Sequence, residues 1–444
     1  MSVLHWRTRV TIASLLLIAA LALGAPGVAA QEGEVLACNG EPLGDPDLEA
    51  SIEVWYWTPE ILEPLVPAFN TLYPNVEVKI VGQAWSETHD KAAVAIAAGE
   101  GAPDVLAVDG GYIQKFIQAG GLADLSEAVG PCADFFPAYK IAEATGADGH
   151  LYAIPWDMGP VGLFYRADLW EEYGFGVPQT WDEFIEQGKQ FAEDGHKMLD
   201  VAIEGQGGTY LFSVLLHQLG GSYFDAEGAV TVNSDAAVQA MTLVRRMVDE
   251  GITADVDLWS PGWAAGWKDG TLIANVGPAW MVHVFPDNIA PEDPTYGSWR
   301  VAALPGFEEN GTRTANWGGS NLVIPGQSEN QEAALAFALF AVGSVEGQVT
   351  NTLAGNISAY LPALEDPRVA NATDPIYGDQ KIYALFRELA PDVPETFYRP
   401  APFYEALVSV MLDVTPRILT DEISVEEGLA EAQTRIEEVA AKYQ

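Results

Sequence analysis

Residues 149–184 read GHLYAIPWDMGPVGLFYRADLWEEYGFGVPQTWDEF, and the order of elements in this stretch decides how the chain must be built. Tyr152 to Pro155 is a short apolar run able to pair as a strand. Pro155 and Pro160 then interrupt regular pairing, which predicts exposed, irregular backbone from Trp156 to Gly162. A second apolar run, Val161 to Tyr165, starts at once. Asp168 opens a short helical pattern through Leu169, Trp170 and Tyr173 that Gly174 and Gly176 close, and Pro178 leads into a helix with Thr180 as N-cap and Glu183 three residues on. Two strands joined by backbone that belongs to neither mark a crossing between two lobes.

Towards the N-terminus, Ser51 to Trp57 is a strand stopped by Pro59, and a helical pattern runs from there to about Tyr73. Pro74 to Val81 is the next strand. A helix from about Ser86 to Ala98 ends at Gly99, and Ala102 to Val108 is a third strand with Asp109-Gly110-Gly111 at its carboxyl end. Strand, helix, strand, helix, strand with short links implies right-handed crossovers and a parallel sheet.

Towards the C-terminus the chain turns mostly helical after Leu169. Residues 219–225 and 228–234 read as a hairpin before a helix from Ala236 to Asp249, and Leu272 to Val276 is a strand that delivers Gly277-Pro278-Ala279-Trp280. Trp299 to Gly306 is expected to carry the chain back to the first lobe, where Trp317 to Ile324 and a helix from Glu332 to Val342 belong. A third crossing is expected between Val342 and Gly347. Helices near 382–389, 404–412 and 425–442 then complete the second lobe. The expected division is 31–157 with 303–342 for the N-terminal lobe, and 158–302 with 343–444 for the C-terminal lobe.

Composition narrows the classes of function. A chain of 444 residues, 49% hydrophobic and with 43 glycines, buries a large core rather than staying disordered. Residues 1–30 carry Arg7 and Arg9, an apolar run from Ile12 to Leu23 and the small residues Val28-Ala29-Ala30, the pattern of a cleavable export signal. That run is well short of the ~20 residues a membrane span needs. Losing two arginines and no acid takes the formal charge from −42 to −44, which argues against nucleic acid and anionic membrane as partners and suits a monomer kept apart by self-repulsion. Two cysteines, Cys38 and Cys132, follow the export signal, and in an oxidising compartment an even pair reads as one disulfide. Leu36-Ala37-Cys38 also reads as a lipidation motif. Glu32 and Glu34 between the apolar run and Cys38 argue against that reading, and the disulfide is preferred.

Several of these motifs, in this order, resemble bacterial extracellular solute-binding proteins of family 1, the sugar-binding subunits of ABC importers. Gly149, Tyr152 and Pro155, then Tyr165, then Pro178, Thr180, Trp181, Glu183 and Phe184 fit the family's pattern, with Arg166 where the family has Asn. So do Phe69-x3-Tyr73-Pro74-x-Val76-x-Val78, Ala98-Gly99-x3-Pro103-Asp104-Val105 and the run Gly120 to Leu125. The resemblance covers nearly all of 51–442. It implies an α/β, two-lobed periplasmic-binding-protein fold of type II with a three-segment hinge, a carbohydrate ligand in the cleft, and a membrane permease as partner. It further implies no catalysis, no cofactor, and a location in the periplasm or on the outer face of the membrane.

No H-E-x-x-H, cysteine cluster, P-loop or G-x-S-x-G occurs, so metalloprotease, structural-zinc, nucleotide and hydrolase-elbow chemistry have no signal. Aromatics stand out instead. Trp57, Trp156, Trp280 and Trp317 sit at strand ends beside Gly or Pro, and Trp85 follows the second strand, where open α/β sheets bind ligands. Indole faces stack on the C–H faces of sugars while carboxylates and amides take the hydroxyls. Asp109 with Gly110, and Asp157, are candidates for the second task, although either acid could instead cap a helix. Gly318 and Gly319 would let backbone approach a ligand closely. The resemblance adds Tyr210 and Tyr404 as further rings and favours Trp280 as a stacking platform. Trp6, Trp170, Trp181 and Trp299 read as core. Rival expectations are a secreted lyase or glycosidase, and a binding protein for a non-sugar solute such as a polyamine or glycerol phosphate.

Overall fold

A computed structural model describes residues 45–395 and 400–443. The first lobe is organised by a five-stranded sheet in the order β2-β1-β3-β11-β4, made of β1 (Ala50–Tyr56), β2 (Val76–Gly82), β3 (Val105–Asp109), β4 (Ile154–Pro155) and β11 (Ser320–Val323). β1 pairs parallel with both β2 and β3, as the alternation of strand and helix predicts. β11 arrives from far along the chain and runs antiparallel between β3 and β4. Helix Trp85–Ala98 covers the β2 to β3 crossover, and Gly99 ends it in the left-handed region at φ 73°.

The second lobe holds a three-stranded antiparallel sheet in which β6 (Val161–Arg166) lies between β10 (Trp299–Ala303) and β9 (Ala274–Pro278). A short parallel pair, β7 (Leu199–Asp200) with β8 (Thr253–Ala254), extends its framework. The expected helix start is present: the Thr180 hydroxyl accepts from the Glu183 N–H at 3.2 Å and caps Trp181–Glu193. Trp170, Trp181 and Trp299 are buried, as core residues should be.

Three passages of chain connect the lobes, and they are hydrogen-bonded to each other. Trp156 N–H donates to the Ser320 carbonyl at 3.0 Å, Trp317 N–H to Gly159 O at 2.9 Å, and Val161 N–H to Ala315 O at 2.9 Å. On the other side β5 (Asp157–Met158) pairs antiparallel with β12 (Ile357–Ser358). Gly159 is required here, because a Cβ would overlap the Trp317 carbonyl. This pairing corrects the expectation of exposed backbone from Trp156 to Gly162. The whole segment is buried, since it is the middle passage with a neighbour on each side.

The second passage also differs from expectation. β10 does not return the chain to the first lobe; it pairs with β6, and Leu304 and Ala315 pack in the second lobe's core. The change from one sheet to the other falls between Asn316 and Ser320, later than 302/303. For the third, helix Gln331–Gly343 packs in the first core, and Ser344 caps Val345–Leu353, whose Val349 packs in the second. Ala359, Tyr360 and Ala363 touch the first core again before the chain stays in the second lobe. Cys132 is buried in the first core, while Cys38 and the expected export signal lie outside the described residues.

Candidate functional site

A cavity of about 650 Å³ opens between the two sheets at the carboxyl ends of β1, β3 and β9. That size falls within the usual range for a small-molecule site. It is lined by Trp57, Trp85, Asp109, Asp157, Tyr210, Trp280, Trp317, Gly318, Gly319 and Tyr404, so the folding brings together every candidate residue except Gly110 and Trp156. Trp156 is core: it is fully buried in the first lobe and its Nε1–H donates to the Tyr56 hydroxyl at 3.1 Å. Successive side chains on extended backbone point to opposite faces, so Trp156 and Asp157 cannot both face the cavity. Gly110 is turned towards the Glu143 carboxylate, which a Cβ there would meet, and its N–H donates to Gly319 O at 3.0 Å.

The first-lobe face is a hydrogen-bonded network finished with rings. Asp157 lies at the floor, 5% exposed, with its Oδ1 accepting from both the N–H (2.9 Å) and the hydroxyl of Ser320. Burial pushes its carboxyl pKa up, while the Ser320 hydrogen bonds and the nearby Lys140 charge pull the other way. The fully buried Lys140 pairs with Glu143, which also accepts from Asn321 Nδ2 at 2.8 Å. Asp109 Oδ1 accepts from Gly111 N–H at 2.7 Å, and its own N–H donates to His89 Nε2 at 3.0 Å. His89 Nδ1 therefore carries the proton and donates to Trp85 O at 2.7 Å. Burial lowers the His89 pKa and keeps the ring neutral.

The second-lobe face is built of rings. Tyr210 and Trp317 stack with centroids 5.0 Å apart, and Trp280 stands edge-on to Trp317 at 6.1 Å, its Nε1–H donating to Trp317 O at 3.1 Å. That bond uses the indole N–H, and the ring lines the cavity. Gly318 and Gly319, at φ 76° and 87°, make this approach possible: a Cβ on Gly318 would sit 3.0 Å from Trp280 Nε1, and one on Gly319 would sit 2.9 Å from the Asp157 carbonyl. The two faces meet at Tyr404, whose ring lies 4.4 Å from Tyr112 and 5.7 Å from Trp85 by centroid. Burial raises the phenol pKa values of Tyr56, Tyr112, Tyr210 and Tyr404, so each offers a neutral hydroxyl.

Several lining residues escape sequence reasoning. Asn316, Asn356, Gln206 and His283 reach the cavity by tertiary placement and carry no local signal. Trp259 had one, since a tryptophan among Asp255, Asp257, Ser260 and Pro261 is out of character for a polar loop. Among the described residues no Lys or Arg lines the cavity, and no group of three His, Cys, Asp or Glu could hold a metal ion.

Two lobes, three hydrogen-bonded passages and a cleft at strand carboxyl ends define a solute-binding protein. The chain belongs to the family described as bacterial extracellular solute-binding protein, which matches residues 57–346. It is similar to the arabinooligosaccharide-binding protein of Halalkalibacterium halodurans, at 25% identity over 67% of this chain and 69% of the relative. It is also similar to the lactose-binding protein of Rhizobium radiobacter, at 25% identity over 78% and 83%. Among solved structures, the fold matches the galacto-N-biose/lacto-N-biose I-binding protein of Bifidobacterium longum with TM-score 0.76 at 21% identity, covering 89% of this chain and 98% of that one. The GacH receptor of Streptomyces glaucescens matches with TM-score 0.73 at 21% identity, over 90% and 100%. The protein therefore has the two-lobed α/β fold of these solute-binding proteins.

Proposed function

We propose that this protein captures an uncharged mono- or oligosaccharide between its lobes and delivers it to the permease of an ABC importer, without catalysis and without a cofactor. The observation that carries this reading is the composition of the cavity wall: stacking rings on both faces, the buried Asp157 carboxylate and buried Asn316 and Asn356 amides, and no Lys or Arg among the described lining residues. Sugar faces and sugar hydroxyls match those two kinds of group, and a uronate or sugar phosphate would enter without a counter-charge. Relatives named for arabinooligosaccharides and lactose support the same ligand class. Export by residues 1–30, a Cys38–Cys132 disulfide, a monomeric state, a periplasmic or outer-face location and rotation of the lobes as rigid bodies about residues 156–160, 316–320 and 356–359 complete the proposal.

A thermal-shift screen over neutral saccharides, uronates, sugar phosphates and polyamines tests it. A ligand at 100 times its dissociation constant stabilises by about 2.7 kcal/mol. Stabilisation by a neutral saccharide is expected, and stabilisation by anions or polyamines alone would overturn the reading. Asp157, with its raised pKa beside Asp109, is also a pairing a glycosidase would use. Incubation with the stabilising saccharide therefore needs a product assay, and unchanged sugar is the expected result.

A further inference from the structure

Trp259 plays no part in the site as read from the sequence, yet it lines the cavity and, among the described tryptophans, it is the one that is exposed, at 55%. Its loop is tied at several points. Asp255 Oδ1 accepts from Ile203 N–H at 2.8 Å, Asp257 Oδ1 accepts from Gln206 N–H at 3.1 Å, and Ser260 caps helix Pro261–Asp269 by accepting from Trp263 N–H at 3.2 Å. Within this frame Trp259 is held at φ 64°, a left-handed conformation that bulky residues seldom adopt and that persists only where surrounding structure imposes it. The ring is fixed as well. It lies nearly parallel to Trp280, 16° between planes with centroids 6.0 Å apart, and meets the buried Trp263 at 4.9 Å. An exposed indole normally loses order to solvent, but this one is braced by strained backbone and two neighbouring rings. Gln206, whose N–H is bound by the same loop, lines the same cavity with an amide suited to sugar hydroxyls.

We propose that Trp259 is an outer stacking platform, with Gln206 beside it, for a sugar ring beyond the one held at Trp280. The ligand class is then a neutral oligosaccharide that extends out of the cavity mouth along the ring series Tyr210, Trp317, Trp280, Trp259. This inference rests on the sugar-binding reading above. Because the platform is preformed, it adds affinity without ordering a loop, and only for ligands long enough to reach it.

The test is calorimetric titration of wild type, Trp259→Ala and Trp259→Phe with two-unit and four-unit members of the arabino-, malto- and galacto-oligosaccharide series. In the series that wild type binds, Trp259→Ala should weaken the four-unit ligand about tenfold or more. The two-unit ligand should change less than about twofold, within ordinary surface-substitution effects, and Trp259→Phe should recover most of the loss. Trp259→Gly, which accepts the positive φ without strain, serves as the binding variant if the alanine variant unfolds. Equal losses for both lengths, or no loss for either, would overturn the outer platform while leaving the sugar reading in place. Binding of no member of any series by wild type would overturn both.

Discussion

The two faces of the cleft solve different problems with different chemistry. On the first-lobe face Asp157 and Ser320 are hydrogen-bonded to each other, and behind them the buried Lys140 pairs with Glu143, which also accepts from Asn321, so that buried charge there is matched by buried charge. On the second-lobe face Tyr210, Trp259, Trp280 and Trp317 present rings, and the deep acid behind them, Asp200, has the Asn275 amide at 3.4 Å, with no cation paired to it among the described residues. The first face sets hydrogen-bonding direction and cannot be loosened cheaply. The second supplies contact area, and its parts can be removed one at a time.

The largest expected effect is on the first face. Lys140→Met would leave Glu143 buried without its cation, and should lower unfolding free energy by about 3–5 kcal/mol in urea titrations. Adding Glu143→Gln should restore most of it. A Lys140→Met variant as stable as wild type would show that the first face is not held by charge pairing.

Asp200 should behave in the opposite sense. Burial raises its carboxyl to about 7 in the folded protein, from an ordinary value near 4. A raised folded-state pKa means that the folded state holds the proton longer, so the contribution to stability is fully present below about pH 4 and is lost as pH rises towards 7. Asp200→Asn should match wild type near pH 4 and be more stable at pH 7.5, by up to about 4 kcal/mol. Parallel stability profiles for the two proteins would contradict this.

Removing one ring should cost less. Trp280 is partly buried and faces the cavity, so Trp280→Ala should weaken binding of the cognate sugar by about 2 kcal/mol, roughly thirtyfold, with the fold retained. Unchanged affinity by calorimetry, or loss of the fold before ligand is added, would make Trp280 a core residue.

The same contrast explains what could be read in the chain beforehand. Rings at strand ends announce themselves by residue type and by nearby Gly or Pro, as Trp57, Trp280 and Trp317 do, while Trp85 is marked only by its place after the second strand. Polar partners do not, because Ser320 meets Asp157 across 163 positions and Asn356 reaches the Tyr56 hydroxyl across 300. Trp156 carries the same flanking proline yet is core, because proline marks a strand end without saying which side of the extended backbone faces the cleft. β10 has the sequence of a returning strand, but an isolated apolar run carries no information about its distant partner, and β6 claims it. The alternating strands and helices of the first lobe were legible because their pairing partners are neighbours in sequence.

In the proposed function a sugar is held between two lobes that close on it. Here the lobes already touch at the mouth, through Tyr404 against Trp85 and Tyr112 and through Gln118 Nε2–H donating to Tyr443 O at 2.7 Å. Ligand favours the closed form only by its differential affinity for it. Small-angle scattering on the full chain, with and without the saccharide identified by thermal shift, measures this directly. The radius of gyration should fall on saturation, to the value calculated from the closed arrangement described above, and an unchanged radius at saturating ligand would contradict capture by closure.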